Sequence, residues 1–183
     1  MNIEQTIISD LIILHPSVFA DSRGYFFESY NRDEFARHGL HYDFVQDNQS
    51  FSTYGTIRGL HFQKGEHAQA KLVRVLQGRV LDVAVDLREG SPTFGKWVSV
   101  ELSEENRTMF MIPRGFAHGF SVLSETAVFA YKCDNTYCRE SEGGILYNDP
   151  ELSVDWRIES GKAVLSDKDL LHPTLNQYLQ SCI

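Results

Sequence analysis

Residues 71–88 read KLVRVLQGRVLDVAVDLR, with Leu81, Val83, Val85 and Leu87 alternating against Val80, Asp82, Ala84 and Asp86. A period of two sends successive side chains to opposite faces, so the segment predicts half-buried strands broken by a turn at Gly78. Residues 97–102, 109–112, 119–123 and 126–132 repeat the theme, separated by turn chemistry at 89–95 and at Pro113-Arg114-Gly115. Residues 6–14 give one more strand signal. Helical signals are few. Asn31, with Glu34 three residues on, resembles a capping box and predicts a short helix through Phe35 that stops at Gly39. A second helix is expected over 167–171. Many short strands and few helices predict an all-β sandwich or barrel of the jelly-roll type. Inward-facing side chains of several strands converge at the mouth of such a barrel, where ligand sites commonly lie.

Composition narrows the classes. The 183 residues, 42% hydrophobic and 23% charged, suit one domain over 1–183 with its own core. No apolar run is long enough to span a bilayer, and MNIEQTIISD lacks the basic and apolar regions of a secretory signal, so a cytoplasmic protein without membrane contact is expected. Cys133, Cys138 and Cys182 are odd in number and lack zinc-knuckle spacing, which predicts free thiols in a reducing compartment. A net charge of −8 argues against a nucleic-acid surface. An anionic ligand must then be met by a local cluster of cations.

The segment 55–78 carries the chemistry. Gly55 is followed by five residues and then His61-Phe62-Gln63, and Lys71 by six residues and then Gly78. This resembles the first motif of the cupin superfamily, which has a His-x-His pair and a Glu before its second Gly. Pro113 to His118 resembles the second motif. A metal cupin needs its histidines and carboxylate together to ligate a divalent ion. Here Gln63 and Lys71 replace two of the ligands, and a protonated ammonium has no lone pair to offer. The frame is expected to have kept its shape and lost that metal.

A narrower resemblance spans most of the chain. Asp21-Ser22-Arg23-Gly24-Tyr25-Phe26-Phe27-Glu28, Gln46-Asp47-Asn48, Ile57 to Gln63, Lys71 to Val75, Ser91 to Trp97 and Pro113 to Phe120 occur in order. Together they resemble the dTDP-4-dehydrorhamnose 3,5-epimerase family. The resemblance implies a cupin-type double-stranded β-helix barrel with a few short helices, acting as a homodimer on a dTDP-linked 4-keto-6-deoxy sugar. It implies no cofactor and no metal. Carbons 3 and 5 of that sugar flank a ketone, so their protons leave to form an enolate; a base, an enolate stabiliser and an acid on the other face suffice. By resemblance, His61 is the base, Asp169 the carboxylate that orients it, Lys71 the charge at the enolate oxygen and Tyr131 the acid. Arg23 and Arg58 match positions suited to the diphosphate. Glu28, Gln46, Asp47 and Asn48 match positions suited to the thymine and neighbouring groups, Tyr137 an aromatic stacked on the base, and His118, Glu142 and Lys168 further substrate contacts.

Plainer readings stand beside these. Arg23 and Glu28 could be a turn residue and its surface partner, His118 a structural histidine, and Tyr131 core beside Phe129 and Ala127. Lys71 shares a face with Val73 and Val75, so it should point inward, where an unpaired ammonium is costly. His15, His38, His41, His67 and His172 have no constellation and read as surface or structural. Arg58 and His61 have opposite parity, so a bulge at Gly59 is needed for both to reach one site. The N-terminal strand signal at 6–14 could serve as an edge strand exchanged between copies. Rival functions are epimerisation at only one carbon, a metal-dependent cupin, and a non-catalytic nucleotide-sugar-binding barrel.

Overall fold

The two-residue alternation becomes strands throughout a computed structural model, which describes residues 1–181. The strands are β1 (Asn2–Gln5), β2 (Ile12–His15), β3 (Phe19–Asp21), β4 (Gly24–Phe26), β5 (Gln46–Thr53), β6 (Ile57–Gln63) and β7 (Lys71–Gln77). They continue with β8 (Arg79–Asp86), β9 (Trp97–Ser103), β10 (Met109–Ile112), β11 (Phe116–Val122), β12 (Thr126–Cys133) and β13 (Glu142–Gly144). Two helices complete the set, α1 (Arg32–Arg37) and α2 (Leu175–Ser181). One sheet has the order β1-β2-β10-β7-β12-β5 and the other β13-β6-β11-β8-β9, while β3 and β4 form a separate hairpin. Neighbouring strands run antiparallel, and the two sheets close face to face as a jelly-roll barrel.

Three apolar layers hold it. Val73, Val75, Val80, Ala84, Phe110, Phe120 and Phe129 fill the space between the sheets. Each fully buried Phe contributes roughly 2–3 kcal/mol of transfer free energy. Outside the six-stranded sheet, Leu72, Met109 and Met111 pack under Phe35 of α1. Asn31 caps that helix by accepting from the backbone of Asp33 and Glu34, as the capping pattern predicts. Outside the five-stranded sheet, Leu81, Val83, Val85 and Ala117 are covered by Ile145, Leu152 and Trp156 from the C-terminal segment.

That last layer corrects one expectation. β8 is buried on both faces rather than half-buried, because the C-terminal segment covers its Leu81-Val83-Val85 face while Asp82 and Asp86 point into the barrel. The signal at 6–14 is also not one strand. Thr6 Oγ1 donates to the Ile8 carbonyl and Leu11 N to the same oxygen, which folds β1 back on β2. β2 then pairs with β10 on its other side and lies inside the sheet, with β1 at the edge. The helix expected over 167–171 is a single 3₁₀ turn, Asp169–Leu171, since Pro173 disfavours helical backbone at His172. β5 and α2 escaped the pattern reading; β5 is almost wholly polar and has no apolar period to detect. Cys133 and Cys138 are free thiols, while Cys182 lies outside the described residues.

Candidate active site

The site begins with an irregularity in β6. Opposite β11, His61 pairs with His118 and Arg58 with Phe120, and the register shifts between them. Gly59 takes φ 140°, and a Cβ there would stand 2.5 Å from the Gly119 Cα, so only glycine fits. The shift turns Arg58 and His61 to the same inward face despite their opposite parity. Arg58 Nε donates to Ser52 Oγ at 3.0 Å.

The C-terminal segment brings the partner of His61. Ser166 Oγ accepts from the Asp169 backbone N–H at the start of the 3₁₀ turn, and this presents the carboxylate to the barrel mouth. Asp169 Oδ1 lies 2.5 Å from His61 Nε2. The Asp169 side chain is 5% exposed and that of His61 40%. Burial works against the Asp169 charge, but the hydrogen bond and charge of His61 outweigh it and hold the carboxyl below its usual range. A carboxylate at Nε2 can only accept, so Nε2 is the donor nitrogen of the pair and Nδ1 is the ring nitrogen left for another partner.

The opposite sheet supplies two further groups. Lys71 opens β7 on the face of Val73 and Val75, and its Nζ lies 5.9 Å from the centre of the Tyr131 ring on β12. Burial pushes the Lys71 ammonium below its ordinary value, against the charge of Asp82. Burial also raises the Tyr131 phenol, with Arg58 opposing, so the phenol keeps its proton at neutral pH. His61, Gln63, Lys71, Tyr131, Tyr137, Glu142 and Lys168 line one open cleft of about 470 Å³. Lys168 is ion-paired with Glu142. Gln46 accepts the Tyr137 backbone N–H at 2.9 Å and donates to Asn48, which shares the Tyr131 face of the sheet.

His118 stands beside His61 but deeper, with 8% of its side chain exposed, and its Nε2 is 2.9 Å from Asp82 Oδ2. Sequence reasoning passed over Asp82 as part of a strand's polar face. A lone carboxylate inside the run RVLDVAV was the available signal. His172 was also missed: it is no isolated histidine, since its ring meets that of His61 edge to face at 5.4 Å and lies 3.6 Å from Asp169. Among the described residues His61, Asp169 and His172 form the one cluster able to hold a cation.

Three predicted residues lie elsewhere. Arg23 is 88% exposed at the tip of the β3–β4 hairpin, paired with Asp21. Glu28 accepts from Asn31 and lines a separate hollow beside α1. Asp47 points to the outer face of β5, where Lys132 holds it at 2.8 Å. The motif Ser91 to Trp97 also proves structural: Ser91 and Thr93 donate to Asp86.

A proton acceptor with its orienting carboxylate, a buried ammonium and a neutral phenol thus share one cleft, which suits proton transfer beside a carbonyl. Residues 5–177 match the sequence model of the dTDP-4-dehydrorhamnose 3,5-epimerase family. The chain belongs to this family. The dTDP-4-dehydrorhamnose 3,5-epimerase of Salmonella typhimurium is 53% identical over 98% of each chain. Among solved structures, the epimerase from Elizabethkingia anophelis is 57% identical, with a TM-score of 0.93 over 97% of each chain. A dTDP-6-deoxy-D-glucose-3,5-epimerase from Legionella pneumophila, in complex with dTDP-4-keto-L-rhamnose, is 50% identical. Its TM-score is 0.92, over 96% of this chain and 93% of that one. No helix among the described residues is long and apolar enough to cross a membrane.

Proposed function

We propose that residues 1–183 form one epimerase domain that converts dTDP-4-dehydro-6-deoxy-D-glucose to dTDP-4-dehydro-L-rhamnose, a step toward a deoxysugar such as L-rhamnose. The observation that carries this reading is the 2.5 Å His61–Asp169 pair facing Lys71 and Tyr131 across one cleft. His61 Nδ1 takes a proton from carbon 3 or carbon 5. The electron pair moves onto the ketone oxygen, where the Lys71 ammonium meets the developing charge. Tyr131 returns a proton from the opposite face, which inverts the carbon. Asp169 stabilises the imidazolium in between.

Arg58, Gln46, Asn48, Tyr137, Glu142, Lys168 and His118 bind the nucleotide and sugar from the same chain. A homodimer is supported by Phe19, Tyr25 and Phe26, which are 67%, 56% and 65% exposed on the β3–β4 hairpin. A second copy that covers them would also give Arg23 and Glu28 a route to a neighbouring cleft. Free thiols at Cys133 and Cys138 fit a reducing, cytoplasmic setting.

Incubation with the 4-keto-6-deoxy sugar nucleotide in D2O, followed by NMR of the product, tests substrate and reaction together. Deuterium is expected at carbons 3 and 5 with both centres inverted; inversion at one carbon would make the chain a single-site epimerase. His61→Ala should abolish the exchange, a loss of roughly 10²–10⁴ in rate. Tyr131→Phe should spare proton abstraction and impair inversion at carbon 5. Exchange at the wild-type rate in His61→Ala would remove it as the base.

A further inference from the structure

His172 sits against the proton-transfer pair without a part in the chemistry above. Its Nε2 is 3.6 Å from the same Asp169 Oδ1 that accepts the His61 proton. One nitrogen of each ring and the carboxylate oxygen all lie within 4.8 Å of one another. The His172 Nε2 is buried and has no hydrogen-bond partner among the described residues. This placement is built into the fold. Pro173 keeps His172 extended, at φ −65° and ψ 147°. Gly144 lies opposite His61 across β13 and β6, and a Cβ there would stand 2.4–2.5 Å from the His172 ring, so the ring occupies the space the glycine leaves.

Two imidazoles and one carboxylate are the donor set of open zinc sites, with a fourth position left for water or ligand. The His172 Nε2, buried and without a hydrogen-bond partner among the described residues, is the nitrogen that faces the Asp169 carboxylate. Tetrahedral zinc with bonds of about 2.0–2.2 Å needs donors roughly 3.3 Å apart. The 3.6 Å separation of His172 from Asp169 is close to that, and the 2.5 Å separation of His61 from Asp169 reflects a shared hydrogen that a metal would displace.

We propose that His61, Asp169 and His172 form a binding site for Zn2+ and that its occupation switches the epimerase off. The site shares His61 with the cupin metal motif but draws its other two donors, Asp169 and His172, from the C-terminal segment, whereas Gln63 and Lys71 stand where that motif has ligands. No redox change is involved. The metal takes the Nε2 electron pair of His61, and the hydrogen that Nε2 carried moves to Nδ1. The nitrogen that would accept the sugar's proton then presents an N–H, and the ring is no longer a base. The inhibitory half rests on His61 being that base; the binding half does not.

The test uses untagged, metal-stripped protein. Zn2+ affinity and stoichiometry are measured by competition with a chromogenic chelator, and turnover is followed as ZnCl2 and then EDTA are added. One Zn2+ per chain in the micromolar range and EDTA-reversible loss of turnover are expected. His172→Ala should weaken binding, and raise the inhibiting concentration, by at least about tenfold, each variant being referred to its own metal-free rate. Gly144→Ala retains all three donors but displaces the His172 ring, and should shift both values in the same direction. No binding at millimolar ZnCl2, or His172→Ala binding as tightly as wild type, overturns the site. Tight binding that needs His172 but leaves turnover untouched upholds the site, overturns the switch, and counts against His61 as the base.

Discussion

Asp82 and Asp86 lie four residues apart on the inward face of β8, and both are wholly buried. Asp86 is saturated. It accepts from the Arg88 backbone N–H, Nε and Nη2 at 3.0, 2.9 and 2.7 Å, and from Ser91 and Thr93 at 2.7 and 2.6 Å. Burial opposes its charge, yet these donors hold the carboxyl far below its ordinary value. Asp82 receives one hydrogen bond, from His118, and its Oδ1 has no partner among the described residues. Burial pushes its carboxyl up, with His118 and Lys71 opposing. The difference is one of location. Asp86 ends the strand, where the following turn folds its own donors back, whereas Asp82 sits mid-strand with only neighbouring strands and the cleft to draw on. A carboxylate saturated by its own loop stabilises the fold, and one left short is poised for a site.

The widest separation of the two should appear on removing the saturated group. Asp86→Ala leaves Arg88 and two hydroxyls without their acceptor and should cost on the order of 3–5 kcal/mol, lowering the melting temperature by roughly 10 °C. A shift of only a degree or two by calorimetry would break the contrast. His118→Ala should cost less, about 1–3 kcal/mol, because it removes the one hydrogen bond that Asp82 accepts, where Asp86→Ala removes five. A loss as large as that of Asp86→Ala would mean that the Asp82 pair is equally structural.

Asp82→Asn sharpens the comparison from the other side. Unfolding free energy should change by less than about 1 kcal/mol, since the charge is poorly supported. Turnover should fall roughly tenfold, about 1.4 kcal/mol in barrier, because His118 loses the carboxylate that orients it and Lys71 loses a neighbouring negative charge. Unaltered turnover would reduce Asp82 to a packing residue.

The smallest effect is in pH, and its sign differs between the two. The folded Asp86 carboxyl lies below its unfolded value, so it stabilises the fold above that value, near 4 by ordinary carboxyl chemistry, and the contribution is lost as pH falls through the folded value. The folded Asp82 carboxyl lies above its unfolded value, so the folded chain holds the proton more tightly and stability declines as pH rises from about 4 toward the folded value. Denaturant titrations across this range should show the decline flattened in Asp82→Asn and the acid loss flattened in Asp86→Asn. Identical profiles in both variants would erase the distinction.

Much of this was legible in the chain. The Gly59 bulge followed from the parity of Arg58 and His61, and the inward Lys71 from its face shared with Val73 and Val75. Other features left little trace. The C-terminal segment has no period, so neither its covering of β8 nor its delivery of Asp169 and His172 to the barrel mouth could be read from spacing. Tyr131 looked like core, and the structure packs it against the core while opening it to the cleft.

The sequence by itself determined the barrel, its strand alternation, the replacement of the cupin metal ligands and the family, because these rest on local periodicity and on residue types at fixed intervals. Tertiary structure alone decided that Asp82 faces inward, that Asp47 faces out, that Arg23 lies beyond the cleft of its own chain, and that His172 meets Asp169. Those relations join residues far apart in the chain or depend on which layer covers a face. Only the closed barrel, with its C-terminal segment laid across the outer sheet, sets them.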